Sequence, residues 1–237
     1  MKKILLMLII PVFLLSGCCF DCWDCEDGEG PVVSQTLILN DFHSFELQGS
    51  ETVILRQGEE QEVVVEAQQN IINLLETGVR NGRWDIEFED CIRSYEDVVI
   101  YITLPEISSI TLSGSGLIQT SDWLVANKIE LNLLGSGEID ALIDAEDLKV
   151  DVTGSGKIVL EGAADIGDFR ITGSGVVSAY ELPLMDCNVN ISGSGNVKTR
   201  CNDNLDIDIS GSGDVYYRGN PNINSSVSGS GKVINDN

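Results

Sequence analysis

Three things are scarce in this chain, and each scarcity removes a class of function. Basic residues come first: 14 Lys+Arg face 38 Asp+Glu, for a formal net charge of -24. A surface of that sign repels nucleic acid and anionic membrane headgroups, and the basic footprint that phosphate binding requires is missing. Histidine is the second. His43 is the only one, so nucleophilic catalysis of the Ser-His or Cys-His kind has a single candidate base and no partner motif, and a lone histidine is ordinarily structural or exposed. Long apolar runs are the third. The run Ile4 to Leu15 has 12 residues, too few to cross a hydrocarbon core of about 30 Å. Hydrophobic residues themselves are plentiful at 43 %, many of them Val and Ile, so the acidity is not that of a disordered chain. On a secreted repeat protein such charge maintains solubility and discourages pairing of exposed sheet edges. Divalent-cation binding, Ca2+ above all, is the sharper reading of the same carboxylates.

The short apolar run belongs to a leader. Lys2 and Lys3 precede it, and it ends in Leu15-Ser16-Gly17-Cys18. A charged start, an apolar stretch and small residues before a cysteine describe an export signal. The ending resembles the bacterial lipobox, which implies cleavage after residue 17 and acylation of Cys18, with the outer membrane as the anchoring partner. Several acyl chains hold a protein stably where one is marginal. Loss of Lys2 and Lys3 leaves 12 basic against 38 acidic residues, so the mature chain stands at -26. Residues 18–33 then read as a tether rich in cysteine and acid. Cys19, Cys22 and Cys25 have the spacing of a metal loop, but no fourth Cys or His lies nearby to close it. Thiols that pair oxidatively outside the cytosol are the plainer expectation, and no metal site is assigned. The acidic stretch Asp24 to Glu29 resembles the post-cysteine signals of surface-exported lipoproteins.

The rest is a repeat. Gly-Ser-Gly begins at Gly114, Gly135, Gly154, Gly173, Gly193, Gly211 and Gly229, at intervals of 21, 19, 19, 20, 18 and 18 residues. Such a period identifies a solenoid. Two residues before each first glycine stand Leu112, Leu133, Val152, Ile171, Ile191, Ile209 and Val227; two before those stand Ile110, Leu131, Val150, Phe169, Val189, Ile207 and Ser225. Beyond the turn, Ile118, Ile139, Ile158, Val177, Val197, Val215 and Val233 share one position. The residues between are polar, so the period-two alternation predicts strands with one buried face. The fold class expected is all-β: a single-stranded parallel β-helix, a β-solenoid with coils of about 19 residues turning at Gly-Ser-Gly corners. The glycines permit positive φ and close approach between coils. The serine of each corner is expected to form a hydroxyl ladder that satisfies backbone groups. A phosphate-cradling loop is disfavoured, because no lysine follows in fixed position and no helix opens there.

The solenoid is expected over residues 34–237, with irregular N-terminal coils over 34–107 and regular ones over 108–237. Phe45-Glu46-Leu47-Gln48-Gly49-Ser50, followed by Val53, reads as a degenerate copy of the corner. Val63 to Glu66, Trp84 to Phe88 and Val98 to Thr103 alternate as strands, and Asn70 to Glu76 is the one candidate short helix. Among outward acids such as Asp151 and Asp168, Asp206 and Asp208 share a strand face, with Asn188 and Asn190 beside them on the neighbouring coil. That strip is either solvated surface or a hydrogen-bonding platform for sugars. Of Tyr216 and Tyr217, one ring is free to stack on a sugar while the other packs inside; Tyr216 is counted with Asn188, Asn190, Asp206 and Asp208 in the candidate ligand-facing strip. A disulfide between Cys187 and Cys201 is possible if their separation in space allows it.

Two features support a family resemblance: the Gly-Ser-Gly corners following Leu104-Pro105-Glu106-Ile107-Ser108-Ser109-Ile110, and the earlier β-rich segment containing Asn70-Ile71-Ile72-Asn73-Leu74-Leu75. Together they resemble the bacterial lipoproteins called autotransporter-adhesin head GIN domains, over roughly residues 35 to 235. The resemblance implies a right-handed parallel β-helix outside a Bacteroidetes-type cell and brings no catalytic residues with it. The function expected is a surface-anchored, non-enzymatic β-helix for adhesion or for binding extracellular polysaccharide. The alternatives are a calcium-assisted polysaccharide lyase or hydrolase and a structural envelope protein that forms homo-oligomers through its solenoid ends.

Overall fold

The computed structural model describes residues 25–237. The leader 1–17, the acylation candidate Cys18, and Cys19 and Cys22 lie outside the described residues. The described chain is almost entirely β, with one short helix, Gln69–Ile72, in the region expected for it. The apolar columns stack as the repeat requires. Leu112 pairs with Leu133, Leu133 with Val152, Val152 with Ile171, Ile171 with Ile191, Ile191 with Ile209, and Ile209 with Val227, all in parallel register. Ile118 to Val233 stack likewise on the other side of the corner. Each full coil sends a row of side chains inward: Ile139, Ala141, Ile143, Ala145, Leu148, Val150 and Val152 in the strand Glu138–Gly154 are all buried. The alternation slips once in that coil, at the exposed pair Glu146-Asp147. That slip is the second, looser corner, turned without breaking the ladder.

The Gly-Ser-Gly corners are joined by backbone. The amide of Ser194 donates to the Gly173 carbonyl at 2.8 Å, Ser212 to Gly193 at 2.8 Å, and Ser174 to Gly154 at 2.9 Å. The expected hydroxyl ladder is not formed: all seven corner serines are exposed, and among the described residues their hydroxyls make no hydrogen bond. Each corner therefore satisfies its polar groups through the main chain of the coil before it, which leaves the hydroxyl to water. The two glycines serve different needs. Gly193 has φ +133, and a Cβ there would sit 2.4 Å from the Gly173 carbonyl oxygen; Gly195 would place a Cβ 2.5 Å from Ile171 Cγ2. The first needs glycine's backbone freedom, the second its lack of volume.

The N-terminal third is stacked out of sequence order. Ser44–Leu47 lies between Arg83–Ile86 on one side and Ser109–Leu112 on the other, all parallel. Thr52–Gln57 lies in the same way between Val99–Leu104 and Leu117–Thr120. Phe45 pairs with Ile110, Leu47 with Leu112 and Val53 with Ile118, so the degenerate corner copy sits in the columns of the regular repeat. Glu51 stands where later corners have their last glycine. It is buried, and its carboxylate accepts a hydrogen bond from the Tyr95 hydroxyl at 3.4 Å. Burial outweighs the hydrogen bonds and holds this carboxyl above the ordinary carboxylate range. The outer edge of Val99–Leu104 is covered by the antiparallel strand Glu62–Gln68, which is itself covered by Val32–Leu37. Covering an edge in this way prevents further pairing there.

Residues 25–33, expected to be tether, are docked. Cys25 forms a disulfide with Cys91, across 66 residues of sequence. Glu26–Asp27 pairs in parallel with Ile92–Ser94, and Arg93 reaches the Cys25 carbonyl at 2.8 Å. The packed chain thus begins by Cys25, ahead of the expected boundary at 34. The Cys187–Cys201 disulfide is not formed: both are free and buried. Each sulfur has another partner, with Cys187 Sγ 3.5 Å from Thr199 Oγ1 and the Cys201 thiol donating to the carbonyls of Asn204 at 3.0 Å and Met185 at 3.3 Å.

Candidate functional site

Because inward residues fill the core, only the outward columns on either side of each corner are available for recognition. On the strand entering the corner, the early coils neutralise their own charges. Arg83 contacts Asp85 at 2.7 Å and Glu46 at 3.4 Å. Lys149 bridges Asp151 at 2.7 Å and Glu130 at 2.8 Å, and Arg170 meets Asp151 at 3.3 Å. Each such exposed pair contributes at most about 1 kcal/mol. Together they pair Arg83, Lys149 and Arg170 with carboxylates on that part of the face.

Further along the same face the composition changes. Asn188 pairs in register with Asp206, and Asp206 with Asn224; Asn190 pairs with Asp208, and Asp208 with Ser226. These six residues line a shallow depression of about 200 Å³. The four Asn and Asp residues expected to form a strip are therefore brought together. The strip is also wider than expected, because Asp186, Asn204 and Asn222 continue it on one side. The sequence reading stopped at two coils, although Asn222 and Asn224 repeat the polar column 18 residues on. Three bonds order the array: Asn204 Nδ2 donates to Asp186 Oδ1 at 2.7 Å, Asn224 Nδ2 to Asp206 Oδ1 at 2.9 Å, and Asn222 Nδ2 to Asn204 Oδ1 at 3.4 Å. The remaining amide donors and carboxylate acceptors face water at the coil spacing of about 4.8 Å. Among the described residues no group of three His, Cys, Asp or Glu side chains is placed to hold a metal ion.

Tyr216 is not part of this strip. It lies past the corner, on the other sheet face, stacked between Lys198 and Ile234, with its hydroxyl 3.4 Å from Asp214 Oδ2. The corner turns the chain, so residues close in sequence point away from different faces. Tyr217 packs against the core, as one of the two rings was expected to do. The face that carries Tyr216 also holds a cluster that the sequence did not single out. The Arg218 guanidinium lies 4.0 Å over the Tyr180 ring, and the Tyr180 hydroxyl donates to Asp236 Oδ2 at 2.8 Å. Desolvation first, then the Asp236 carboxylate, pushes the Tyr180 phenol up to about 12. Arg218 meets the same carboxylate at 3.6 Å, and the Asn237 amide makes two hydrogen bonds to the backbone of Gly219.

His43 has one partner: its Nδ1 lies 2.7 Å from the Ser108 hydroxyl. That serine also donates to the His43 carbonyl at 3.2 Å. The imidazole Nε2 is packed on Gly82, where a Cβ would come within 2.5 Å. The pair closes the ladder between the coils at 44 and 109, and among the described residues no carboxylate orients the ring as a nucleophilic triad requires.

Residues 41–221 match the family described as "Putative auto-transporter adhesin, head GIN domain". The fold is shared with solved structures of Bacteroidetes proteins. A "putative adhesin" from Bacteroides fragilis superposes with a TM-score of 0.82 at 19 % identity, covering 89 % of this chain and 99 % of that one. A "putative lipid binding protein" from Parabacteroides distasonis gives 0.77 at 23 %, covering 90 % and 100 %. A "putative adhesin" from Parabacteroides merdae gives 0.75 at 19 %, again covering 90 % and 100 %. At these identities the likeness is one of fold. None of the curated proteins matches.

Proposed function

Because this chain belongs to the head GIN domain family, we propose that it is a cell-surface adhesin-like module that binds extracellular polysaccharide without turning it over. Its anchor is a lipid on Cys18 in the outer membrane, a reading supported by the lipobox-like ending Leu15-Ser16-Gly17-Cys18. The observation that carries the binding role is the in-register array of Asn188, Asn190, Asp206 and Asp208, extended by Asn224 and Ser226. Amides and carboxylates in alternate rows offer donors and acceptors to sugar hydroxyls along an extended chain. They stand on rigid strands, so little ordering is needed on binding. The adhesin names of similar structures support a role in contact rather than catalysis. A glycan array with the mature chain tests this reading. The expected result is retention of neutral extracellular glycans, lost when Asn188, Asn190, Asp206 and Asp208 are all changed to Ala; retention unchanged in that variant rejects the strip. For the anchor, Cys18→Ala is expected to release the protein from the membrane fraction.

A further inference from the structure

On the strand leaving the corner, in the same coils as the Asn/Asp strip, the charge reverses. Lys198, Arg200, Arg218 and Lys232 gather there, four of the 14 basic residues of a chain of net charge -24. Arg200 and Arg218 are direct neighbours in register. They line a concavity of about 600 Å³ together with Asn202, Asn220, Asp236 and Asn237. The two arginines are in different states. Arg218 is stacked on Tyr180 and already holds the Asp236 carboxylate, which accepts from the Tyr180 hydroxyl as well. Arg200 is exposed, and among the described residues it has no acidic partner. The site thus contains one carboxylate bound by one guanidinium, beside a second guanidinium of the same kind facing the same hollow, with the amides of Asn202 and Asn220 within it and that of Asn237 held by the Gly219 backbone.

From this we infer that the Arg200 hollow is a second binding site, for the carboxylates of an acidic polysaccharide of the uronate type. Arg200 supplies the planar fork that matches a carboxylate. The amides of Asn202 and Asn220 suit the flanking hydroxyls, and Lys198, one turn of alternation away, suits the next acidic unit. Arg218, stacked on Tyr180, and Asp236 form the fixed wall. With a chain so acidic overall, a polyanion is repelled everywhere else, which confines its docking to this face. The inference rests on the polysaccharide reading above but concerns the opposite side of the corner and a different sugar chemistry.

The test is isothermal titration of the mature chain with oligogalacturonate, its carboxyl-reduced neutral counterpart, and a poly-glutamate of similar length. Oligogalacturonate is expected to bind and the reduced oligomer not to. Arg200→Ala is expected to weaken binding about tenfold or more, the scale of a lost charge-assisted hydrogen bond, and Arg200→Lys to recover only part of it. Because Arg200 is exposed, an unchanged melting temperature will show that the variant is folded. Equal binding of the reduced oligomer, equal binding by Arg200→Ala, or poly-glutamate binding as tight as the uronate each overturns the inference. A chain that retains neutral glycans through the Asn/Asp strip yet ignores oligogalacturonate rejects this site alone. One that ignores both rejects the polysaccharide reading itself.

Discussion

Replacing Gly193 with alanine separates the work of the corner glycine from that of its serine. Gly193 has φ +133, a region that side chains disfavour by about 1–3 kcal/mol. The new methyl would also stand 2.4 Å from the Gly173 carbonyl oxygen and 3.1 Å from its nitrogen, both of them backbone atoms that cannot rotate away. Relieving that contact means parting two coils where the Ser194 amide donates to the same oxygen at 2.8 Å, and overpacking of this kind costs a further 1–3 kcal/mol or so. The total expected for Gly193→Ala is about 2–6 kcal/mol. Ser194→Ala removes an exposed hydroxyl without a hydrogen-bond partner, and is expected to change stability by no more than about 0.5 kcal/mol. Urea titration followed by circular dichroism measures both variants, read as a shift in midpoint at constant slope. If Ser194→Ala costs as much as Gly193→Ala, the hydroxyl carries the corner and the amide-ladder account is wrong.

Other consequences can be measured in the same protein. Glu51→Gln is expected to stabilise the fold at neutral pH. The wild-type carboxyl binds its proton more tightly folded than unfolded, so wild-type stability falls as pH rises from the ordinary carboxylate range to the raised folded value, then stays low; the difference in melting temperature between the two should vanish at acid pH, and a constant difference would refute the linkage. Reducing the Cys25–Cys91 bond, which closes 66 residues, is expected to cost about 2–4 kcal/mol in calorimetry, and no change on reduction would mean that the docked segment is held without it. In thiol titration of the native protein Cys187 and Cys201 are expected to stay unreactive until denaturant is added, because burial raises both thiols. Phe169→Ala, at a fully buried position in the ladder between Val150 and Val189, is expected to cost about 3–5 kcal/mol.

The register of the regular coils was readable from the chain because a strict period leaves one way to superpose Ile118, Ile139 and Ile158 with their equivalents. The order of the first coils was not readable. Phe45 and Ile110 are adjacent in space, but the excursion between them gives no local sign that the strand at 83 will close on the far side. Cys25 and Cys91 were hidden for the same reason, since pairing depends on where two distant loops meet. Composition suggested a hydroxyl role for the corner serine, whereas close approach of the coils gave the role to its amide. The Asn/Asp strip was legible because Asn188 with Asn190, and Asp206 with Asp208, alternate along two successive strands of the repeat. Tyr216 was misplaced beside it because alternation does not report a change of face at a corner, and the Tyr180–Arg218–Asp236 cluster draws on three separate coils.

The segment 44–57 is made before its neighbours and ends between them, so it is a template with two edges. One edge is taken by the strands at 83 and 99 and then covered by antiparallel strands, which leaves a single face from which the regular coils can copy their register. The stack is therefore polar, with one end capped by the N-terminal strands. Because each later coil touches only its neighbours, whole units can be gained or lost at the far end without disturbing that capped end. The length of the molecule, and with it the number of rows displayed on each outward face, is a quantity that duplication can change in steps of one coil.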